Sequence, residues 1–260
     1  MKKSFTIFIL LLLISAFFVL SLSSCGTDKP ESVVNNAIKN TSKLTEFEAK
    51  MDMAINVQAS DEDMNIPVSI LMKVKDGNKK HPLVYSYMST EMFGEKMESE
   101  AFMDDKFVYV LSGGEGYKMK VEDAEGEYDY SDQLKENLKK LPKNLLKDTE
   151  LIQENNGSYK IAVKIPENVF DELYGELLDD ISEISLGEVF DSLDISDCMI
   201  NLVIKDNFVT SYTLSYNMSN TTENETVSAA VSVAYEIVNP GKSVSITPPQ
   251  GYESFEEIGW

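Results

Sequence analysis

The chain has 260 residues, 44 of them acidic and 23 basic, for a formal net charge of −21 at neutral pH. It contains no arginine. So acidic a surface repels phosphate backbones and anionic lipid headgroups, and without arginine no bidentate clamp on phosphate or carboxylate can form; both facts argue against nucleic-acid binding.

The first residues carry an address. Met1-Lys2-Lys3 is a short basic stretch, and an apolar run from Phe5 to Leu22 follows, broken only by Thr6, Ser15 and Ser21. This is the layout of a secretory signal peptide. The run meets Leu22-Ser23-Ser24-Cys25, an apolar residue and two small ones before a cysteine, which is the pattern of a lipobox. A membrane-spanning anchor of ~20 residues is the competing reading, and the tetrapeptide favours the lipoprotein. The expected division is a signal peptide over 1–24, a tether over 25–29 and one folded domain over 30–260. A diacylated (palmitate-bearing) Cys25 then holds the chain on the extracytoplasmic face of a bacterial cell membrane, since two acyl chains anchor stably without a helix. With Cys25 acylated, Cys198 has no disulfide partner; it shares an apolar strand side with Ile200, Leu202 and Ile204 and reads as a buried thiol.

In chain order, Pro30 opens a predicted helix running to about residue 44, with Val33, Val34, Ala37 and Ile38 as its apolar stripe. Period-two alternation then starts at Phe47 and continues through Ala49, Met51, Met53, Ile55 and Val57. A second such run holds Met64, Ile66, Val68, Ile70, Met72 and Val74, and strands follow over 83–92, 95–103, 106–111 and 117–121. Short links between these runs imply antiparallel hairpins. Helical patterns occupy 130–141 and 169–181, separated by a hairpin over 151–153 and 159–165 through Asn155-Asn156-Gly157. Three long strands, 197–205, 208–218 and 226–238, close the pattern; in the second, Phe208, Thr210, Tyr212, Leu214, Tyr216 and Met218 are expected on one face. The tail at Pro248-Pro249 is too proline-rich for an inner strand. The sum is an α+β fold: a curved, mostly antiparallel, unclosed β-barrel of about nine to eleven strands with helices packed against its concave face.

Catalytic chemistry is hard to place. The single histidine, His81, sits in a turn beside Pro82, without the partners that zinc ligation or acid–base work requires. Asp61, Asp63 and Asn65 open like a calcium loop, but Ile66 stands where the loop needs glycine and Met72 where it needs a bidentate carboxylate. The acidic clusters at 122–127 and 171–188 read as solvated faces, with weak calcium binding as the alternative. No nucleophile–base set can be named, so neither an enzyme nor a metal or other cofactor is expected.

Twelve methionines and twelve tyrosines are the feature above background. Methionine adapts to irregular apolar shapes, and tyrosine joins an apolar body to a polar tip. The candidate lining residues of a ligand cavity are Phe47, Met51, Met53, Ile55, Ile70, Met72, Tyr85, Tyr87, Tyr212 and Tyr216 on strands, with Phe170 and Tyr174 on a helix. The same composition suits a plain core under helices, and the residues leave the two readings equally open.

The order of lipobox, short helix, alternating strand, hairpin meander, central helices, closing strands and proline-containing tail resembles the LolA/LppX-like bacterial lipoproteins, in their Gram-positive branch. The stretch Ala37-Ile38-Lys39-Asn40-Thr41-Ser42-Lys43-Leu44 leading into the first strand shares that flavour. The resemblance implies an unclosed barrel that binds a lipid, an acyl chain or a lipoprotein between sheet and helices. An arginine-dependent latch cannot be carried over. The alternative is a sensor or protein-interaction module of the same fold, with an envelope protein as partner and no bound ligand.

Overall fold

The structure is a computed structural model that describes residues 30–59, 62–92, 94–123, 146, 149, 151–154, 156–167, 169–170, 194–221 and 226–258. Its helix α1 (Pro30–Thr41) precedes twelve strands: β1 (Phe47–Ala59), β2 (Glu62–Lys75), β3 (Leu83–Met92), β4 (Glu95–Met103), β5 (Phe107–Ser112), β6 (Glu115–Lys120), β7 (Leu151–Gln153), β8 (Tyr159–Lys164), β9 (Asp194–Lys205), β10 (Phe208–Thr221), β11 (Thr226–Val238) and β12 (Glu256–Glu257). They form one sheet in the order β12-β6-β5-β4-β3-β2-β1-β11-β10-β9-β8-β7. Every pairing is antiparallel except that of β12 with β6. The sheet is open, with β12 at one edge and β7 at the other.

Two meanders make up this order. One runs outward from β1 to β6, the other from β11 back to β7, and they meet along the β1–β11 ladder, from Glu48 opposite Val238 to Gln58 opposite Ser228. The turns follow from local chemistry. Asp206 and Asn207 between β9 and β10 both take positive φ, 52° and 62°, the backbone that a two-residue hairpin needs and that these residue types tolerate.

Alternation along β1 sends Phe47, Ala49, Met51, Met53 and Ile55 to one side, and the register puts Ile70, Met72 and Val74 of β2 and Val233, Tyr235 and Ile237 of β11 beside them. This inner face is the side on which α1 lies. Val34, Ala37, Ile38 and Thr41 recur on one flank of the helix and are buried; the three apolar ones join the same core as Phe47, Met51, Tyr212 and Ile204. Glu31 in the first turn and Lys39 in the last suit the helix dipole. A free helix of this length is marginal in water, so packing on the sheet holds it.

Two bulges correct the simple alternation. In β10, Val209 pairs with Ile204 and Ser211 with Val203, leaving Thr210 as the extra residue. Val209 therefore takes the buried position, and Phe208 and Thr210 do not share a face with Tyr212 as period two predicts. In β9, Asp197 and Cys198 together oppose Tyr216, with Asp197 at φ 53°. The slip lets Ile195 face inward on one side of the bulge and Cys198, Ile200, Leu202 and Ile204 on the other.

The sequence expectation is also refined at both margins of the fold. The twelfth strand, β12, lies in the tail, where two residues are too few to show a period. Among the described residues α1 is the single helix packed on the sheet. The inserted helical stretches over 130–141 and 169–181 lie outside the described residues, apart from 169 and 170, which are helical.

The β10 bulge is tied to the helix. Thr41 Oγ1 donates to the Ala37 carbonyl at 2.8 Å and accepts the Val209 N–H at 2.9 Å, both buried, while Asn40 Nδ2 donates to the Asn207 carbonyl at 3.1 Å. Thr41→Val keeps the side-chain shape and strands a buried N–H. It is expected to lower stability by about 1–3 kcal/mol in urea unfolding, whereas Ser42→Ala, which removes an exposed bond to the Lys39 carbonyl, changes stability far less.

Candidate functional site

Burial changes along the inner face. At the end marked by Phe47, Val74, Val209 and Ile237 the side chains are buried, closed over by the core that includes α1. Toward the opposite ends of the same strands, Met53, Ile55, Ile70, Met88, Tyr216 and Met218 pack against that core but are only half-buried. The register assembles them: Met53 lies opposite Val68 and Val233, Ile55 opposite Ile66 and Val231, Ile70 opposite Met88, and Tyr216 opposite Val231. Phe170 lies over Tyr216, with ring centroids 5.0 Å apart and planes tilted by 53°. The result is an apolar strip that continues a solid core but is less covered.

The strip is free of charge. Between Phe47 and Val57 on β1, Met64 and Val74 on β2, Tyr212 and Met218 on β10, and Val227 and Ile237 on β11, every inward-facing side chain is uncharged. Glu48, Lys50, Asp52 and Lys73 fall on the other face. The polar atoms that do face inward include the Tyr235 hydroxyl, which burial holds protonated far above the usual tyrosine range, and Thr90 Oγ1, which donates to the Pro67 carbonyl at 2.9 Å.

The sequence-predicted lining residues divide into groups. Met53, Ile55, Ile70 and Tyr216 lie together on the half-buried strip. Phe47, Met51, Met72, Tyr212 and Phe170 are buried core. Tyr85 and Tyr87 do not join them: Tyr85 pairs with Lys73 and Tyr87 with Leu71, so both stand on the outer face. Tyr174 and Cys25 lie outside the described residues. Met88 and Met218 join the strip although they stand outside the candidate lining residues drawn from the sequence. For Met88 the signal lies in the register, because Val84, Tyr85, Tyr87 and Met88 put apolar or aromatic side chains on both faces of β3 and alternation alone cannot choose between them.

The outer face has its own chemistry. Tyr85 is raised above the usual tyrosine range, mainly by burial and then by Glu100. Tyr87 donates to Glu98, which also meets Lys96 at 2.6 Å; hydrogen bonds from these two hold the Glu98 carboxyl below its usual range. Farther along, Phe102 and Tyr109 stack at 5.7 Å, and the tail residue Tyr252 meets them edge-on at 5.6 and 5.0 Å. Gly116 makes room for the tail: a Cβ there would stand 2.4 Å from the Phe255 ring.

A profile described as "Family of unknown function (DUF6612)" matches residues 29–250 of this sequence. The chain belongs to DUF6612. No curated protein matches this DUF6612 chain. Among solved structures, LprF from Mycobacterium bovis is 11% identical, over 88% of this chain and 100% of its own, with a TM-score of 0.47. A DUF1329 family protein from Desulfovibrio piger is 6% identical, over 85% of this chain and 96% of its own, with a TM-score of 0.27. Neither TM-score reaches 0.5, so neither likeness carries weight for function. Among the described residues, no helix is long and apolar enough to cross a membrane.

The outer aromatic patch makes a pH prediction. Burial first, then Asp104, pushes the Tyr109 hydroxyl up to about 12, against about 10 for an unfolded chain. The folded state therefore keeps a proton that the unfolded state releases. Its contribution is complete below pH 10 and is lost as pH rises toward 12. Tyr109→Phe is expected to flatten that part of the alkaline stability profile, measured by urea unfolding at stepped pH.

Proposed function

We propose that this chain is a membrane-tethered extracytoplasmic lipoprotein that holds a lipid or other hydrophobic ligand between the inner face of its sheet and the helices that cover it. The observation that carries the reading is the uncharged, half-buried strip of Met53, Ile55, Ile70, Met88, Tyr216 and Met218, which continues a closed core. A ligand that completes this cover removes apolar surface from water on both sides. Each buried methylene contributes about 0.8 kcal/mol, while association costs at least ~4 kcal/mol. An acyl chain must therefore bury on the order of ten methylenes, ~8 kcal/mol, before it is held at all firmly. That favours long-chain ligands over small apolar solutes.

The lipobox supports the tether. In this reading Cys25 carries the diacylglyceryl group, residues 26–29 link it to α1, and the sheet is an unclosed barrel whose concave side is the ligand site. The chain has no catalytic role in this reading and needs no cofactor. The same fold without a ligand, acting as a sensor or docking module for an envelope protein, is the outcome to be distinguished.

The test is native mass spectrometry of the full chain taken from its own membrane in mild detergent. The expected result is a population carrying lipid mass beyond the Cys25 modification. That extra mass falls several-fold in Met53→Asp and is retained in Tyr87→Ser, which alters the outer face. Cys25→Ser is expected to lose metabolic palmitate label and leave the membrane fraction. A homogeneous chain with no captured lipid would sink the ligand reading and leave the interaction module.

A further inference from the structure

Directly opposed residues of an antiparallel pair share a face. One row can therefore be followed across the inner side of the first meander: Met51 of β1, Ile70 of β2, Met88 of β3, Ser99 of β4, Ser112 of β5 and Glu115 of β6. The row changes character along its length. Ile70 and Met88 belong to the half-buried strip, two hydroxyls follow, and a carboxylate closes it. Ser99, directly opposite Met88, is 8% exposed, and its hydroxyl has no partner among the described residues. A second carboxylate comes from β4, where Glu95 alternates with Met97 and Ser99 and so stands on the same face. Both glutamates are exposed. The Tyr117 hydroxyl donates to Glu115, which puts an aromatic ring beside that carboxylate.

No lysine answers these acids from the same face. Every lysine of β1–β6, from Lys50 to Lys120, takes an alternate position and faces out; Lys96, next to Glu95 in the chain, pairs with Glu98 there. An anionic head at this end of the row would meet carboxylates alone, in a chain of net charge −21. A cation is attracted to both carboxylates, and the Tyr117 ring is a further partner for it. Met88 and Glu115 are three strand spacings apart, about 14 Å, which a long ligand lying across the strands can bridge. We infer that the ligand is a cationic amphiphile. Its acyl or alkyl chain covers Met53, Ile55, Ile70 and Met88, and its ammonium head passes Ser99 and Ser112 to reach Glu115 and Glu95. The inference rests on the hydrophobic-ligand reading and adds the headgroup class to it.

The experiment offers the full chain, in nonionic detergent at low salt, an equimolar mixture of three probes with the same acyl chains: dioleoyl trimethylammonium propane, dioleoylglycerol and dioleoylphosphatidate. Bound lipid is counted by native mass spectrometry. The cationic head gains and the anionic head loses at both carboxylates, so the wild-type chain is expected to capture the ammonium lipid about tenfold over the phosphatidate. The neutral lipid falls between them, and added salt narrows the ratio. In Glu95→Gln/Glu115→Gln the ratio should fall several-fold. Asp63→Asn/Glu91→Gln makes the same change in net charge at exposed positions on the outer face and should keep it. Thermal melting of both double variants is expected to match the wild type, since all four side chains are exposed. Capture of the phosphatidate or the neutral lipid at least as well as the ammonium lipid overturns the inference. So does a ratio that the inner pair leaves unchanged, or that the outer pair lowers equally. Each of these results leaves the hydrophobic-ligand reading standing. Capture of none of the three also overturns the inference, and together with lipid-free protein from the native membrane it removes that reading as well.

Discussion

The β1–β11 ladder is the constraint on which the rest of the molecule depends. It joins residues 170 to 190 positions apart in the chain, from Gln58 with Ser228 to Glu48 with Val238. Each meander can assemble from neighbouring hairpins, but neither has a complete inner face alone. Met53 and Ile55 come from one meander, Tyr216 and Met218 from the other, and only this ladder sets them side by side. So distant a pairing pays its loop-closure entropy late, which places the fold among those that form slowly. The candidate site is thus a product of the final pairing and of no local segment.

Much of the fold was legible in the sequence because period two is a strong signal in long strands. Thr226–Val238 shows it, as does β1, where charged and apolar residues alternate cleanly. The turn chemistry of Asp206-Asn207 was equally plain. Legibility failed where two faces look alike. Val84, Tyr85, Ser86, Tyr87 and Met88 give no contrast between sides, so Tyr85 and Tyr87 read as lining although the pairing of Ile70 with Met88 puts them outside. Bulges were hidden for a related reason. A single inserted residue at Thr210 or Asp197 leaves composition unchanged and shifts only the phase. Asn35 was invisible as a buried group because its neighbours on the helix stripe, Val34 and Ile38, already satisfied the pattern.

The two faces of the sheet divide the work. The ion pairs of Lys73 with Glu48 and Lys96 with Glu98, and the Tyr87–Glu98 contact, lie outside, where water screens them and each pair contributes little. The inner strip built by β1, β2, β10 and β11 carries no charged side chain. Such segregation leaves a low-dielectric surface within, where polar contacts are stronger than they are outside. Helix α1 belongs to this division: its buried flank closes one end of the face, and Thr41 fastens it to the irregular backbone of β10.

The tail has a consequence of a different kind. Sheet margins with unpaired amides are templates on which another chain can polymerise. Along β6 that margin is occupied: Glu256–Glu257 pairs with it in parallel, the Ile258 amide bonds to the Lys118 carbonyl at 2.9 Å, and Phe255 seats against Gly116. The two glutamates add negative charge where an incoming strand would approach. At the other margin β7 is only three residues long. The sheet thus offers a second copy of the chain little margin on which to grow a fibre.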